Sequence, residues 1–567
     1  MAGGTRVARS TQAAAQYGPA VRVLIFHGFL LHGTGSNVYN ARLAEALVRG
    51  GHEVHLLCQE RRPLELDWVD ATGDWDGGTL VVGERRSPVR ATVYRPDIGG
   101  LLPVFVADRY EGVTARPLPE LGDDAIERYV AANVSAVRAV CARSEIDVAL
   151  ANHLVLGPAI LARALAGRSI PYAVKIHGSA LEYVVKPHPR FLVHAREGLD
   201  GAAAVLVGSR HTSESLWAAI DDPELPERTR LGPPGVDVGL FAPRDADGAR
   251  VGLRALAARL AIAPADDTPP AGDERATGSF ELDARATGRL SDSADPGQDR
   301  SPSSDAQPAH SFGLDATEAG RALAAVEPEH DRLVVFVGKL IASKGVELLL
   351  AAWPLVVREH PDARLVVVGF GGWRDGLHEL AAELARGDLD AARARRAEDG
   401  RELPQLAAFL NTVDPDEYAE TAGTALGERV TWTGRLDHAE LADLLPAAEA
   451  LVVPSTFPEA FGMVAAEGAA CGALPIVAAH SGLAEVAAAL AERMPPPARA
   501  WLTFEIDDRA VRHLAGGIVG WLGADPELRE EVRTAIVDVT RVRWSWDGVA
   551  RTVLSAAAGE LAQLPRP

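Results

Sequence analysis

Two stretches of this chain, Val21-Arg-Val-Leu-Ile-Phe26 and Leu333-Val-Val-Phe-Val337, are apolar runs that lead into a glycine-bearing loop and then a helical pattern. An unbroken run of this kind suits a parallel strand buried on both faces, because crossover helices cover both sides of such a sheet. After the first run comes the loop Leu31-His-Gly-Thr-Gly-Ser-Asn37. Val38, Ala41, Ala44 and Val48 then keep helical spacing to Arg49, and Gly50-Gly51 supplies the left-handed stop. His52–Cys58, Asp147–Leu150, Tyr172–Ile176 and Ala204–Val207 read as further strands of this half. In the second half Arg364–Val368, Val430–Trp432, Ala450–Val453 and Leu474–Val477 do the same. Strands that alternate with helices twice over predict an α/β chain of two Rossmann-like domains facing a central cleft, at the carboxyl ends of their sheets.

The length of 567 residues agrees with more than one core. The expected organisation is a flexible tail over 1–20, a first domain over 21–244, and a linker or insert over 245–330 that is largely disordered. A second domain follows over 331–545, and 546–567 form a C-terminal helix crossing back to the first domain. Residues 264–308 carry almost no large apolar side chains and are rich in Pro, Gly, Ser, Asp and Ala, so burial cannot offset their ordering entropy. A short apolar helix near 251–260 precedes them. The Ala-rich, charged stretch of about 376–428 reads as surface helices or a flap.

With 57 Lys and Arg against 78 Asp and Glu, the formal charge is −21, which argues against nucleic acid as a partner. Cys58, Cys141 and Cys471 show no CxxC pairing and read as buried thiols in a reducing compartment. There is neither an apolar leader within the first 20 residues nor a run of the ~18 apolar residues a membrane span needs. The expected location is cytoplasmic, with a peripheral membrane contact left open.

Two loops carry candidate chemistry. In Val337-Gly-Lys-Leu-Ile-Ala-Ser-Lys-Gly345 a buried strand ends at Gly338, and Lys339 and Lys344 precede a helix. Glycine allows close backbone approach, and ammonium groups beside a helix N-terminus suit a diphosphate. Taken alone, the two lysines could equally be solvated. The GxxxxGK[ST] phosphate loop is absent. In Pro454-Ser-Thr-Phe-Pro-Glu-Ala-Phe-Gly462-Met-Val-Ala-Ala-Glu467, Glu459 precedes a helix and Glu467 lies on its first turns. The two carboxylates can face one ligand, with the amides of Phe461 to Val464 aimed at an anion or sugar oxygen. Singly, Glu459 could balance the helix dipole and Glu467 could be solvated.

These motifs, in this order, resemble those of the family 4 glycosyltransferases of GT-B fold. Gly338-Lys-Leu to Lys344-Gly345 resembles their phosphate-binding loop, Thr433-Gly-Arg435-Leu436 the loop flanking the nucleobase, and Glu459 to Glu467 their E-x7-E signature. Ser481-Gly-Leu-Ala-Glu485 is similar to their GGxxE turn, Gly33-Thr-Gly35 to the loop against the donor diphosphate, Lys175-Ile-His177-Gly178 to their HG motif, and Gly235-Val-Asp237 to Pro243 to their interdomain segment. The resemblance implies retaining transfer from a nucleoside-diphosphate sugar to a hydroxyl acceptor that the sequence does not identify. It implies that Glu467 holds the ribose and that Glu459 contacts the donor sugar, assisted by backbone near Phe461, Gly462, Met463 and Val464. Lys344 would stabilise the leaving diphosphate, and His177 would sit by the anomeric centre.

Gly33, Gly35, Gly338, Lys339, Arg435 and Leu436 complete the expected donor site. Lys339 stands where the family usually has arginine, which keeps charge and loses bidentate grip. The first glycine loop also lacks the commoner paired glycines. No cofactor or metal is expected: no Asp-x-Asp sits at a strand end, and the first-half histidines, His27, His32, His153, His177, His188, His194 and His211, have no zinc spacing and read as mostly surface or cleft residues. The alternatives are a GT-B epimerase or phosphorylase and a non-catalytic sugar-nucleotide binder. A dinucleotide-dependent dehydrogenase is disfavoured because neither loop carries GxGxxG.

Overall fold

A computed structural model of the protein describes residues 20–32, 35–105, 114–262 and 316–567. The first sheet has nine strands, in the order Thr229–Leu231, Ala204–Val207, Tyr172–Lys175, Val148–Asn152, Arg22–Phe26, Glu53–Leu57, Ala91–Arg95, Ala71–Asp76 and Thr79–Glu84. All neighbours are parallel except the last two. The second sheet is wholly parallel: Val430–Gly434, Ala363–Val368, Arg332–Val337, Ala448–Val453, Leu474–Ala478 and Thr503–Phe504. Numbered within its own domain, this is the doubly wound order 3-2-1-4-5-6. In such a sheet, connections run in opposite directions from the two strands at the reversal, which opens a crevice at their carboxyl ends. Here the crevice lies between Val337 and Val453. In the first sheet the reversal lies between Phe26 and Asn152.

The apolar runs are strands because both of their faces are covered. Val23, Leu24 and Ile25 are fully buried, as are Val334 and Val335. The first sheet packs its two faces into separate clusters, one with Leu24, Val130 and Leu161, the other with Val23, Ile25 and Leu47. This second cluster also holds Trp546, Val549 and Val553 of the helix Trp546–Ala557, so the last long helix of the chain is core to the first domain.

Two expectations need correction. The helices Ala246–Ile262 and Ala316–Ala324, at the ends of the segment read as linker, pack on each other. Leu253, Leu256, Leu260 and Leu323 share the core of the second domain with Leu333 and Leu441. Residues 263–315, which hold the stretch expected to be disordered, lie outside the described residues, as does 1–19 of the expected tail. The segment read as surface helices or a flap does form helices, Arg374–Ala385, Leu389–Ala394, Pro404–Leu410 and Pro415–Gly427, but their inner faces bury Leu377, Leu380, Phe409 and Tyr418 in that same core. Leu377, Leu380 and Leu384 make an apolar stripe at helical spacing, masked in the sequence by the surrounding alanines and charges. Tyr418 Oη donates to the Ala351 carbonyl at 3.0 Å and fixes this layer. No described helix is long and apolar enough to cross a membrane.

Candidate functional site

The two candidate loops meet at the second crevice. Gly345 has φ +67°, and a Cβ there would lie 2.0 Å from the Pro454 carbonyl oxygen, so only glycine lets the loops touch. Thr456 N donates to the Ser343 carbonyl at 2.9 Å and laces them together. This contact brings Lys344 onto Glu459: Nζ donates to Oε1 at 2.7 Å, with both residues buried. Ser455 Oγ donates to the same oxygen at 2.7 Å. The Glu459 backbone is held as well. Its amide donates to Ser481 Oγ at 2.8 Å, and its carbonyl accepts from Gly482 N at 2.9 Å. His480 completes the bracket, with Nε2 donating to the Ser455 carbonyl at 2.8 Å.

A buried ion pair costs desolvation that pairing alone barely repays, so its presence at a crevice marks a place where charge is wanted. Beyond Glu459 the chain turns through Gly462, at φ +105°, into the helix Met463–Cys471, all of whose residues from Val464 onward are buried. The N-cap offers no side-chain bond. The helix therefore presents its first amides and positive dipole end without a protein acceptor from the cap. Glu467 is buried about one turn into this helix, with Oε1 3.4 Å from His438 Nε2. Burial opposes protonation of His438, but Glu467 outweighs it and holds the imidazole above its usual range. Phe461 packs edge-on against Trp544, ring centres 5.6 Å apart.

The remaining second-domain residues follow the carboxyl ends of strands Arg332–Val337 and Val430–Gly434. Gly338 follows strand Arg332–Val337, and its amide donates to the Val368 carbonyl at 3.0 Å. Lys339 is exposed. Leu436 is buried, and Arg435 lies over the Phe370 ring at 5.8 Å.

At the first crevice, His177 Nε2 donates to Asn152 Oδ1 at 2.8 Å, Asn152 Nδ2 to Asn40 Oδ1 at 2.8 Å, and Asn40 Nδ2 to His27 Nδ1 at 3.0 Å. His27 Nε2 closes the chain onto Asn37 Oδ1 at 2.9 Å. His27, His153 and His177 are buried at this crevice, 2%, 4% and 4% exposed, which makes them cleft rather than surface residues. Burial pulls the His27 imidazole down to about 4 and holds His177 well below its usual range, so both rings are neutral. Burial likewise brings the Lys175 ammonium down to about 7. Gly35 opens the helix Gly35–Arg49; Gly33 lies outside the described residues. The expectation of buried thiols fits Cys58 and Cys471, whereas Cys141 is half-buried.

The two crevices face one another. Glu485 of the second domain accepts from the Arg210 amide at 2.6 Å, at the start of helix Arg210–Ile220 in the first. Sequence reading missed Ser455, Ser481, His480, Asn40, Asn152 and His438. Only Ser455 and Ser481 stand within a motif, and neither type nor spacing distinguishes them there. Among the described residues no three His, Cys, Asp or Glu come together as metal ligands would.

Residues 324–388 and 417–494 match the family described as "Glycosyl transferases group 1", and residues 34–220 match "Glycosyl transferase 4-like domain". Together these take in more than half of the chain. Over 179 residues the chain is 36% identical to D-inositol 3-phosphate glycosyltransferase 1 of Catenulispora acidiphila, a segment making 29% of this chain and 41% of that protein. Over 149 residues it is 32% identical to the glycogen synthase of Mycobacterium tuberculosis, 26% of each. The chain thus spans less than half the length of these curated relatives.

Among solved structures, sucrose-phosphate synthase from Thermosynechococcus elongatus superposes with a TM-score of 0.50 at 20% identity, covering 96% of this chain and 99% of that one. The catalytic domain of starch synthase IV from Arabidopsis thaliana, bound to ADP and acarbose, gives 0.52 at 12%, covering 96% and 100%. The Anabaena protein HepE in complex with UDP gives 0.51 at 15%, covering 95% and 100%. At these identities the likeness establishes the fold, two Rossmann-like domains about a cleft.

Proposed function

The chain belongs to the group 1 glycosyltransferases, and from that membership we propose that it moves a sugar from a nucleoside-diphosphate sugar to an acceptor hydroxyl, with retention at the anomeric carbon. The observation that carries the reading is the buried Lys344–Glu459 pair, set at the second crevice beside the uncapped start of helix Met463–Cys471. A leaving diphosphate gains charge as its bond to the sugar breaks. An ammonium and fixed amides held in a water-poor crevice stabilise that charge without reorganising. Lys344 spends one of its three N–H groups on Glu459, which aims the nitrogen. The two bonds received by Glu459 converge on Oε1, so Oε2 is the oxygen for a donor-sugar hydroxyl. Glu467 takes the ribose hydroxyls. His177, neutral and fixed through Asn152, contacts the sugar or phosphate rather than attacking it.

On this reading the leaving phosphate takes the acceptor's proton on the same face. The charge is met by Lys344 and backbone, so a chelator leaves turnover unchanged. The Arabidopsis and Anabaena neighbours, solved with ADP and UDP, support a nucleoside diphosphate as the common element. Thermal-shift screening against UDP-, GDP- and ADP-sugars, followed by transfer assays with the best donor, tests the proposal. Stabilisation by one donor series with transfer to a hydroxyl is expected. No shift and no turnover across the panel would overturn it.

A further inference from the structure

At the first crevice one buried histidine stands apart from its neighbours. Both ring nitrogens of His27 are bonded, to Asn37 and Asn40, and His177 is bonded to Asn152. His153 is as buried as these, yet neither Nδ1 nor Nε2 has a hydrogen-bond partner among the described residues. Its ring is nonetheless tightly placed. It lies 4.9 Å from His177, 5.1 Å edge-on to Phe29 and 4.7 Å from Phe105, centre to centre. The backbone reaches this position in the left-handed region, at φ +68°, directly after strand Val148–Asn152. A strained backbone that delivers an orphaned polar ring to a crevice is uneconomical as packing, since the buried N–H and its opposite lone pair go unmatched.

The ring also lines a cavity with Phe26, Phe29, Phe105 and Tyr129, of about 10 Å³. That is room for roughly one water-sized group and no more. The cavity therefore has room for a single hydroxyl. Burial, with some repulsion from His27, keeps the imidazole neutral, so it offers one donor and one acceptor on opposite edges of the ring, and either can meet a hydroxyl.

We propose that His153 is an acceptor-binding residue: its imidazole bonds one hydroxyl of a polyhydroxylated ring, seated against the aromatic wall of Phe29 and Phe105. This rests on the transferase reading, and it adds the acceptor class and the residue that selects it. A sugar or cyclitol fits such a wall because its C–H face is apolar while its rim is polar.

The test is thermal-shift titration of the wild type, His153→Phe and His153→Asn. Probes are D-glucose, D-mannose and myo-inositol, with their monophosphates, each in the presence of the nucleoside diphosphate that the wild type binds. Phenylalanine keeps the ring and removes its nitrogens. Asparagine keeps a hydrogen-bonding group and tolerates the left-handed backbone. The nucleotide-induced shift is expected to be equal in all three proteins, which shows them folded. At least one polyol should shift the wild type, and its affinity should fall about tenfold or more in His153→Phe, with partial rescue in His153→Asn. With that polyol as acceptor, KM for the acceptor rises in His153→Phe and recovers in part in His153→Asn. An undiminished polyol shift in His153→Phe overturns the proposal and assigns the cavity to a structural water. No polyol shift in the wild type overturns it as well. Failure of the nucleotide shift in the wild type would instead count against the transferase reading, so the two failures are distinguishable.

Discussion

Glu459 and Glu467 are eight residues apart and do different work because their surroundings differ. Glu459 is pinned by Lys344 and Ser455 at one oxygen, whereas Glu467 faces His438 from within a helix. Glu467→Ala should abolish the donor-induced thermal shift, and an undiminished shift would remove the proposed ribose contact. Lys344→Ala should lower kcat by about 10²–10³, the usual loss when one stabiliser of developing charge is removed, read in single-turnover transfer. Glu347 offers a pH test. Burial pushes its carboxyl up to about 8, and Oε2 lacks a hydrogen-bond partner among the described residues. Between its ordinary value and about 8 the unfolded chain releases a proton that the folded one keeps. Stability therefore falls as pH rises through that window, by up to about 1.4 kcal/mol per pH unit. Glu347→Gln should flatten this slope and raise the melting temperature more at pH 7.5 than at pH 4.5, measured by calorimetry. At this scale the sequence revealed Lys344, Glu459 and Glu467 through spacing. It hid the Asn40–Asn152–His177 chain, whose members lie on a helix, at a strand end and in the loop after Tyr172–Lys175, and meet only when Val148–Asn152 pairs with both Arg22–Phe26 and Tyr172–Lys175.

Among elements, those that bury both faces were the readable ones. Val23 to Phe26 and Leu333 to Val337 lie fully inside their sheets and announce it by composition. Ala71–Asp76 does not, because Gly73, Asp74 and Asp76 dilute it. Thr503–Phe504 is only two residues long, too short for any period to register. The helices of 374–427 were read as peripheral because alanine carries little hydrophobic signal, although Leu377 and Tyr418 are core residues. The joint between the two donor loops makes a sharp element-scale prediction. Gly345→Ala places a methyl 2.0 Å from the Pro454 carbonyl in a left-handed backbone. It should cost about 1–3 kcal/mol in denaturant unfolding. It should also weaken donor binding, because Lys344 and Glu459 depend on that contact for their alignment.

For the whole molecule, Glu485 is the clearest tie across the cleft, receiving the amides of Arg210 and His211 from the other domain. Glu485→Ala removes the acceptor and should shift the protein toward open forms. An increased radius of gyration in solution scattering, and more donor hydrolysis relative to transfer, are expected; an unchanged radius would deny the tie any role in closure. The placement of Trp546 to Ala557 in the first domain's core has a temporal consequence. During synthesis the strand Arg22–Phe26 and its neighbours emerge early, yet the face formed by Val23, Ile25 and Leu47 stays uncovered until Trp546, Val549 and Val553 arrive. At ~5–20 residues per second, the intervening roughly 500 residues leave an apolar sheet face exposed for tens of seconds. The second domain can complete its sheet in that interval, so the first half to be made is the last to be finished.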